Sequence, residues 1–161
     1  MLCQNKNRRL GMLDDLTNLQ ALLKDSTLLA TKGYIAGEWC DGENGQTFPV
    51  YNPARGDVIT DVADISRTQT AEAISIAEKA QKLWAARPAK ERSNLLRNWY
   101  NLMMENQEDL ATILTAEQGK PIEEAKGEIA YGASFIEFFA EEAKRVYGET
   151  IPGHQSDKRI T

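Results

Sequence analysis

The stretch IEEAKGEIAYGASFIEFFAEEAKRVY, residues 122–147, decides the fold. Ala125, Ile129, Gly132 or Ala133, Ile136, Ala140, Ala143 and Tyr147 recur every three or four residues, the period of an amphipathic helix. The seam is built of small side chains, and Gly148 stands where a left-handed C-cap belongs, so the spacing predicts a helix over 122–147. Tyr131, Phe135, Phe138, Phe139 and Val146 lie on several other faces, which calls for more than one neighbour. Ordering such a helix costs about 1–2 kcal/mol per residue in backbone entropy, whereas burying one large apolar side chain returns about 1.5–3 kcal/mol. It cannot stand alone, and part of the core it needs is expected outside this chain.

Towards the N-terminus the helical period persists back to residue 66. Gly119-Lys120-Pro121 is a stop and restart, preceded by a shorter helix carrying Leu110, Ile113 and Leu114. Before that comes a helix started by Pro88, with Leu95, Leu96, Trp99, Leu102 and Met103 on one face. Ser66 with Gln69 forms a capping box for another, whose face is Ala73, Ile76, Ala77, Ala80, Leu83 and Trp84. Upstream of residue 65 the texture changes to short β-prone pieces punctuated by turn formers. Gly33 to Gly45 reads as an antiparallel hairpin, and Thr47–Tyr51 and Val58–Asp64 as two strands joined by Asn52-Pro53-Ala54-Arg55-Gly56-Asp57. Leu16, Leu19, Leu22 and Leu23 suggest one short helix between about Leu13 and Leu29, broken near Asp25.

Composition removes several functions. The chain has 161 residues, 42% hydrophobic and 27% charged, and 19 Lys+Arg against 24 Asp+Glu give a net charge of -5, so a nucleic-acid partner is not expected. No run of about 18 apolar residues exists, which removes a membrane-spanning helix. Arg8 and Arg9 lack the Ser-rich, acid-poor context of a mitochondrial presequence, so a cytoplasmic protein is expected. A further reading makes residues 1–21 an unrelated leader created by a misplaced start, with Met12 an alternative initiator. Cys3, Cys40 and the single His154 cannot make a zinc site or a disulfide framework, and His154 is a poor base for a self-contained catalytic triad.

Candidate chemistry is sparse. Glu137 with Glu141, and Glu124 with Glu128, are carboxylates one helical turn apart, the arrangement of a general acid and base when a pocket splits their pKa values. With Lys144 and Arg145 nearby in an acid-rich helix, they read instead as a solvated face. Cys40 lies between Trp39 and Asp41, which do not activate a thiol, and reads as a packed hairpin cysteine. Gly37, Gly42 and Gly45 fit neither a dinucleotide nor a P-loop fingerprint and are turn glycines. Trp84, Trp99 and the Phe135–Phe139 cluster could stack on bases, but their spacing reads as core.

Taken together, four stretches are recognisable: Tyr34-Ile35-Ala36-Gly37-Glu38-Trp39, Tyr51-Asn52-Pro53-Ala54-Arg55-Gly56-Asp57-Val58-Ile59, Glu117-Gln118-Gly119-Lys120-Pro121 and Tyr147-Gly148-Glu149-Thr150-Ile151-Pro152. In order and spacing they resemble the opening of NAD(P)-dependent aldehyde dehydrogenases. Gly119 through Gly127–Glu142 to His154 looks most like the succinate-semialdehyde dehydrogenase branch, associated with 4-aminobutyrate degradation. The resemblance covers roughly residues 22–161. It implies an α/β family fold, incomplete here: the segment is mostly α-helical with a small antiparallel β-hairpin layer and lacks the Rossmann parallel strands.

The resemblance also implies the organisation. Residues 1–32 are a leader and short helix, and 33–147 the N-terminal part of the cofactor-binding domain, with hairpins at 33–64 and helices at 66–147. Residues 148–161 begin an oligomerisation strand that is cut off. The family's catalytic thiol, water-activating glutamate, oxyanion asparagine and nucleotide-binding strands lie beyond Thr161, so no catalytic, cofactor-binding or metal residue is assigned. In some members, carbonyls matching Val50 and Tyr51 and an acid matching Glu117 hold a monovalent cation. A complete relative would use NAD or NADP in a thioester mechanism, as a homo-oligomer. This chain is expected to bind no nucleotide itself, to be inactive alone, and to have the remainder of such an enzyme as its partner. The alternative is an autonomous helical module that binds a protein through exposed apolar helix faces.

Overall fold

The computed structural model describes residues 18–152 and 158–160. Its elements, in chain order, are α1 (Leu19–Leu22), β1 (Gly33–Ile35), β2 (Glu38–Cys40), β3 (Thr47–Tyr51), β4 (Val58–Ala63), α2 (Arg67–Ala86), α3 (Ala89–Glu105), α4 (Gln107–Gln118), α5 (Ile122–Glu142), β5 (Thr150–Pro152) and β6 (Lys158–Ile160). Short 3-10 turns occupy Ser26–Leu28 and Glu43–Gly45. The chain is mostly helical, and its strands form three antiparallel pairs, β1–β2, β3–β4 and β5–β6.

The N-terminal helix ends at Leu22, ahead of the break expected near Asp25; Leu13 to Thr17 lie outside the described residues. It stops at Leu22 because a buried carboxylate takes over the next backbone donors. Asp109, 4% exposed on α4, accepts the N–H of Lys24 (3.1 Å) and of Asp25 (2.8 Å). Asp25 in turn caps the following 3-10 turn through the N–H of Thr27 (3.0 Å). Leu19, Leu23 and Leu29 then cluster on Ala116, with Ile59 and Ile113 against them, joining the N-terminal segment, β4 and α4.

The first hairpin turns at Ala36 (φ 56°) and Gly37 (φ 91°), successive positive-φ residues of the kind that match the twist of paired strands. Gly42 is the tightest point of this region. A Cβ there would sit 2.4 Å from the Gln46 carbonyl oxygen and 2.5 Å from that of Asp64, so only glycine fits without displacing main chain. The β3–β4 connection is closed by buried Asn52, whose side-chain oxygen accepts the Ala54 N–H (2.9 Å) while its carbonyl accepts that of Gly56 (2.7 Å).

The capping box expected at the start of α2 is present: Ser66 Oγ accepts the Gln69 N–H, and Gln69 Oε1 accepts the Ser66 N–H. Gln69 does more than cap. Its Oε1 also accepts the Glu43 N–H (3.1 Å) and its Nε2 donates to the Asp41 carbonyl (3.0 Å), tying α2 to the loop after β2. At the other end Arg92 donates to the carbonyls of Ala85 (2.7 Å) and Arg87 (3.2 Å). Between those attachments α2 has no buried residue. On the face read from Ala73 to Trp84, Ala73 and Ile76 are half-buried while Ala77, Ala80 and Leu83, the last 75% exposed, stay open, so that face is only partly covered among the described residues.

Helices α3 and α4 pack on α5, which supplies the small-residue seam. Ala125, Ala133 and Ala140 are fully buried, as is Ala111 on α4. On α3 the stripe turned inward differs from the expected one: Ser93 is buried and Leu96, Arg97, Tyr100 and Met103 are half-buried, while Leu95, Trp99 and Leu102 stay exposed. Both stripes repeat at four and then three residues, so periodicity could not choose between them; the polar partners described below do. Gly119 gives α4 its left-handed C-cap (φ 74°). Helix α5 ends at Glu142, five residues before the expected Tyr147. Its C-cap, Ala143, is right-handed, so Gly148 does not cap it. The last donors turn back onto nearer carbonyls, Lys144 N–H to Glu141 (3.2 Å) and Arg145 N–H to Glu142 (2.9 Å), tightening the end.

Candidate functional site

The paired carboxylates of α5 are not a merely solvated face. Arg97 of α3 reaches across with its two terminal nitrogens, one to Glu137 Oε1 and one to Glu141 Oε1, both at 2.6 Å. Lys144 holds the other oxygen of Glu141 (2.9 Å), and the Arg97 guanidinium lies 5.3 Å from the centre of the Tyr100 ring. The hydrogen bond from Lys144, then that from Arg97, holds the Glu141 carboxyl below the usual carboxylate range, and Glu137 and Glu141 raise the Arg97 pKa. Two carboxylates held on one guanidinium are an interhelical clamp. The sequence offered only one signal for Arg97: a base on the helix packed against two acids one turn apart.

The second pair is divided. Glu128 pairs with Lys120, while Glu124 is exposed in the first turn of α5. Lys126 bridges α5 to α4 through Glu108 (2.9 Å) and also meets Glu123 (3.2 Å); the Glu108 hydrogen bond is the larger cause of its raised pKa. Cys40 is half-buried, its Sγ 3.7 Å from the Glu38 carbonyl, as a packed hairpin thiol should be. Val50 is half-buried and Tyr51 and Glu117 are exposed. The described residues contain no cluster of three His, Cys, Asp or Glu able to hold a metal. His154 and Cys3 lie outside the described residues.

The first turns of α3, α4 and α5 carry Glu91, Glu108 with Asp109, and Glu123 with Glu124, whereas the first turn of α2 carries no acid. Among the described residues every strand pair is antiparallel.

What remains is surface. Among the described residues no large side chain is fully buried, whereas Trp99 on α3 and Tyr131, Phe135, Phe138 and Phe139 on α5 are about half exposed or more. Trp84, Trp99 and the Phe135–Phe139 cluster, read as core, are open here, Trp84 least of them. Tyr131 stacks edge-on against Phe135 (4.9 Å) and Phe138 against Phe139 (5.3 Å), so the aromatics contact one another in pairs. A second apolar opening of about 620 Å³ lies between the first hairpin and α2, lined by Tyr34, Ile35, Ala73, Ile76, Ala77 and Ala80 among others.

Residues 39–161 match the aldehyde dehydrogenase family, and the chain belongs to it. It is 60% identical over 138 residues to the glutarate-semialdehyde dehydrogenase of Pseudomonas putida, a match covering 86% of this chain and 29% of that protein. The mitochondrial succinate-semialdehyde dehydrogenase of Arabidopsis thaliana is 45% identical over 160 residues, 99% of this chain and 30% of its own length, so the likeness extends upstream of residue 22. Among solved structures, an Escherichia coli NADP-dependent enzyme superposes with a TM-score of 0.80 at 55% identity, across 86% of this chain and 29% of that one. The chain thus spans less than a third of the length of these relatives.

Proposed function

We propose that this chain is the N-terminal wall of an NAD(P)-dependent semialdehyde dehydrogenase, acting on an aldehyde that bears a carboxylate at its far end, with succinate semialdehyde the first substrate to try. The carrying observation is the pairing of 60% identity to a semialdehyde dehydrogenase with open aromatic faces on α3 and α5. A piece matching under a third of its relatives needs a larger body to lie against, and these faces supply the contact area.

The chain's part in this reading is support. An active site must be held within about 0.5 Å of its productive geometry by the packing behind it. The Arg97 clamp and the alanine seam make α3, α4 and α5 a rigid backing for such a site, and the segment after Gly148 extends towards an oligomer contact. Its own residues hold neither aldehyde nor nucleotide. The same reading places the protein in the cytoplasm.

Two measurements test it. The purified chain, given succinate semialdehyde with NAD+ or NADP+, forms no reduced nicotinamide; steady formation overturns the reading. Mixed with the part of the Pseudomonas putida relative that follows the matched region, it forms a complex with aldehyde-dependent reduction. Absence of any complex, with each part soluble, also overturns it.

A further inference from the structure

We propose that Asn44 is a site of spontaneous deamidation, and that its conversion loosens the attachment of α2. Of the chain's nine asparagines, Asn44 alone precedes glycine. It is exposed and in the left-handed region (φ 59°, ψ 22°), and Gly45 carries no side chain to shield the nitrogen that follows.

In the reaction the Gly45 backbone nitrogen attacks Cγ of Asn44. The bond from Cγ to the side-chain nitrogen breaks, ammonia leaves with the proton lost from Gly45, and a cyclic succinimide closes. Water opens the ring at either carbonyl, giving aspartate or isoaspartate without oxidant or reductant. The Gly45 N–H donates to the Gly42 carbonyl (2.8 Å), so the Glu43–Gly45 turn opens before attack. The loop being rebuilt also holds α2: Glu43 N–H and the Asp41 carbonyl both engage Gln69. Conversion adds a negative charge beside Asp41 and Glu43, and isoaspartate adds a methylene to the main chain there. Helix α2 has no buried residue to compensate.

The test incubates the full chain at mildly alkaline pH, digests it with trypsin and follows the peptide 33–55 by mass spectrometry. That peptide carries an internal control: Asn52 precedes Pro53, whose nitrogen has no hydrogen and cannot close the ring. Conversion at Asn44 is expected ahead of Asn52, Asn94, Asn98 and Asn101, and slowed in Gly45→Ala. Should Gly45→Ala fail to fold at its positive φ, Asn44→Gln keeps the amide on a longer arm and serves instead. Amides of residues 67–70 are expected to exchange faster in the converted fraction. Conversion no faster at Asn44 than at Asn94, or no slower in the variant, overturns the site. Unchanged exchange at residues 67–70 overturns the loosening.

Discussion

Helices α2 and α5 have nearly the same length, 20 and 21 residues, and both carry an apolar stripe recurring every three or four positions, yet α5 buries three alanines completely and α2 buries nothing. One is held by its middle, the other by its ends. α5 lies between α3 and α4 and is clamped by Arg97 and Lys126, whereas α2 hangs from Gln69 at its start and Arg92 at its finish. An apolar stripe therefore specifies a helix without specifying its partner; the partner must bring a matching surface, and α2's is only partial among the described residues.

The contrast is easiest to break in the middle of each helix. Ala133→Leu forces extra volume into the α5 seam and is expected to cost about 1–3 kcal/mol, while Ala77→Leu in α2 stays within about 0.5 kcal/mol. Thermal unfolding followed by circular dichroism reads both; equal shifts would abolish the distinction. The same melts bear on autonomy. A single sharp calorimetric transition at one molecular size would favour a self-sufficient interaction module over an enzyme's wall.

Asp109→Ala comes next. It leaves the Lys24 and Asp25 donors without their acceptor and is expected to cost about 1–3 kcal/mol, detaching residues 18–29 to early proteolysis. Gln69→Ala should cost about 0.5–2 kcal/mol, as loss of a helix cap does, and speed amide exchange in the first turn of α2 without touching α5. Unchanged exchange would mean that α2 is held elsewhere.

The smallest effect is acidic. Because Glu141 has its pKa lowered in the fold, its clamp contributes fully above the ordinary carboxylate range and is lost as pH falls through the lowered value. Arg97→Met removes the Arg97 share of that dependence while Lys144 still holds Glu141, so wild type and variant should converge in stability at low pH and differ near neutrality. Parallel curves would show that the ion pairs contribute nothing measurable.

Local grammar made much of this architecture readable. Ser66 with Gln69, Pro88, Gly119 and the Gly33–Gly45 turn formers each act within a few residues, and each element they announce is present. What escaped depends on distance along the chain. Arg97 meets acids 40 and 44 residues away, Asp109 meets amides 84 and 85 residues away, and the choice between two equivalent stripes on α3 follows from those partners. The end of α5 was misjudged because Tyr147 continues the period while the tightened turn after Glu142 ends the ladder. Trp99 and the phenylalanines of α5 were assigned to an interior that these residues do not enclose. Family membership, by contrast, was readable from four short stretches, because turns and caps are written in contiguous residues.

Gly42 sets a rule for how lineages carrying this segment can drift. At Gly127 and Gly132 an added methyl group meets open space, and at Gly33 it meets only the tip of Ile65, which can rotate away. At Gly42 it meets two main-chain oxygens that have nowhere to retreat. A library randomised at these four codons and sorted for folded chains should therefore return glycine nearly always at position 42 and a broad alphabet at 127 and 132.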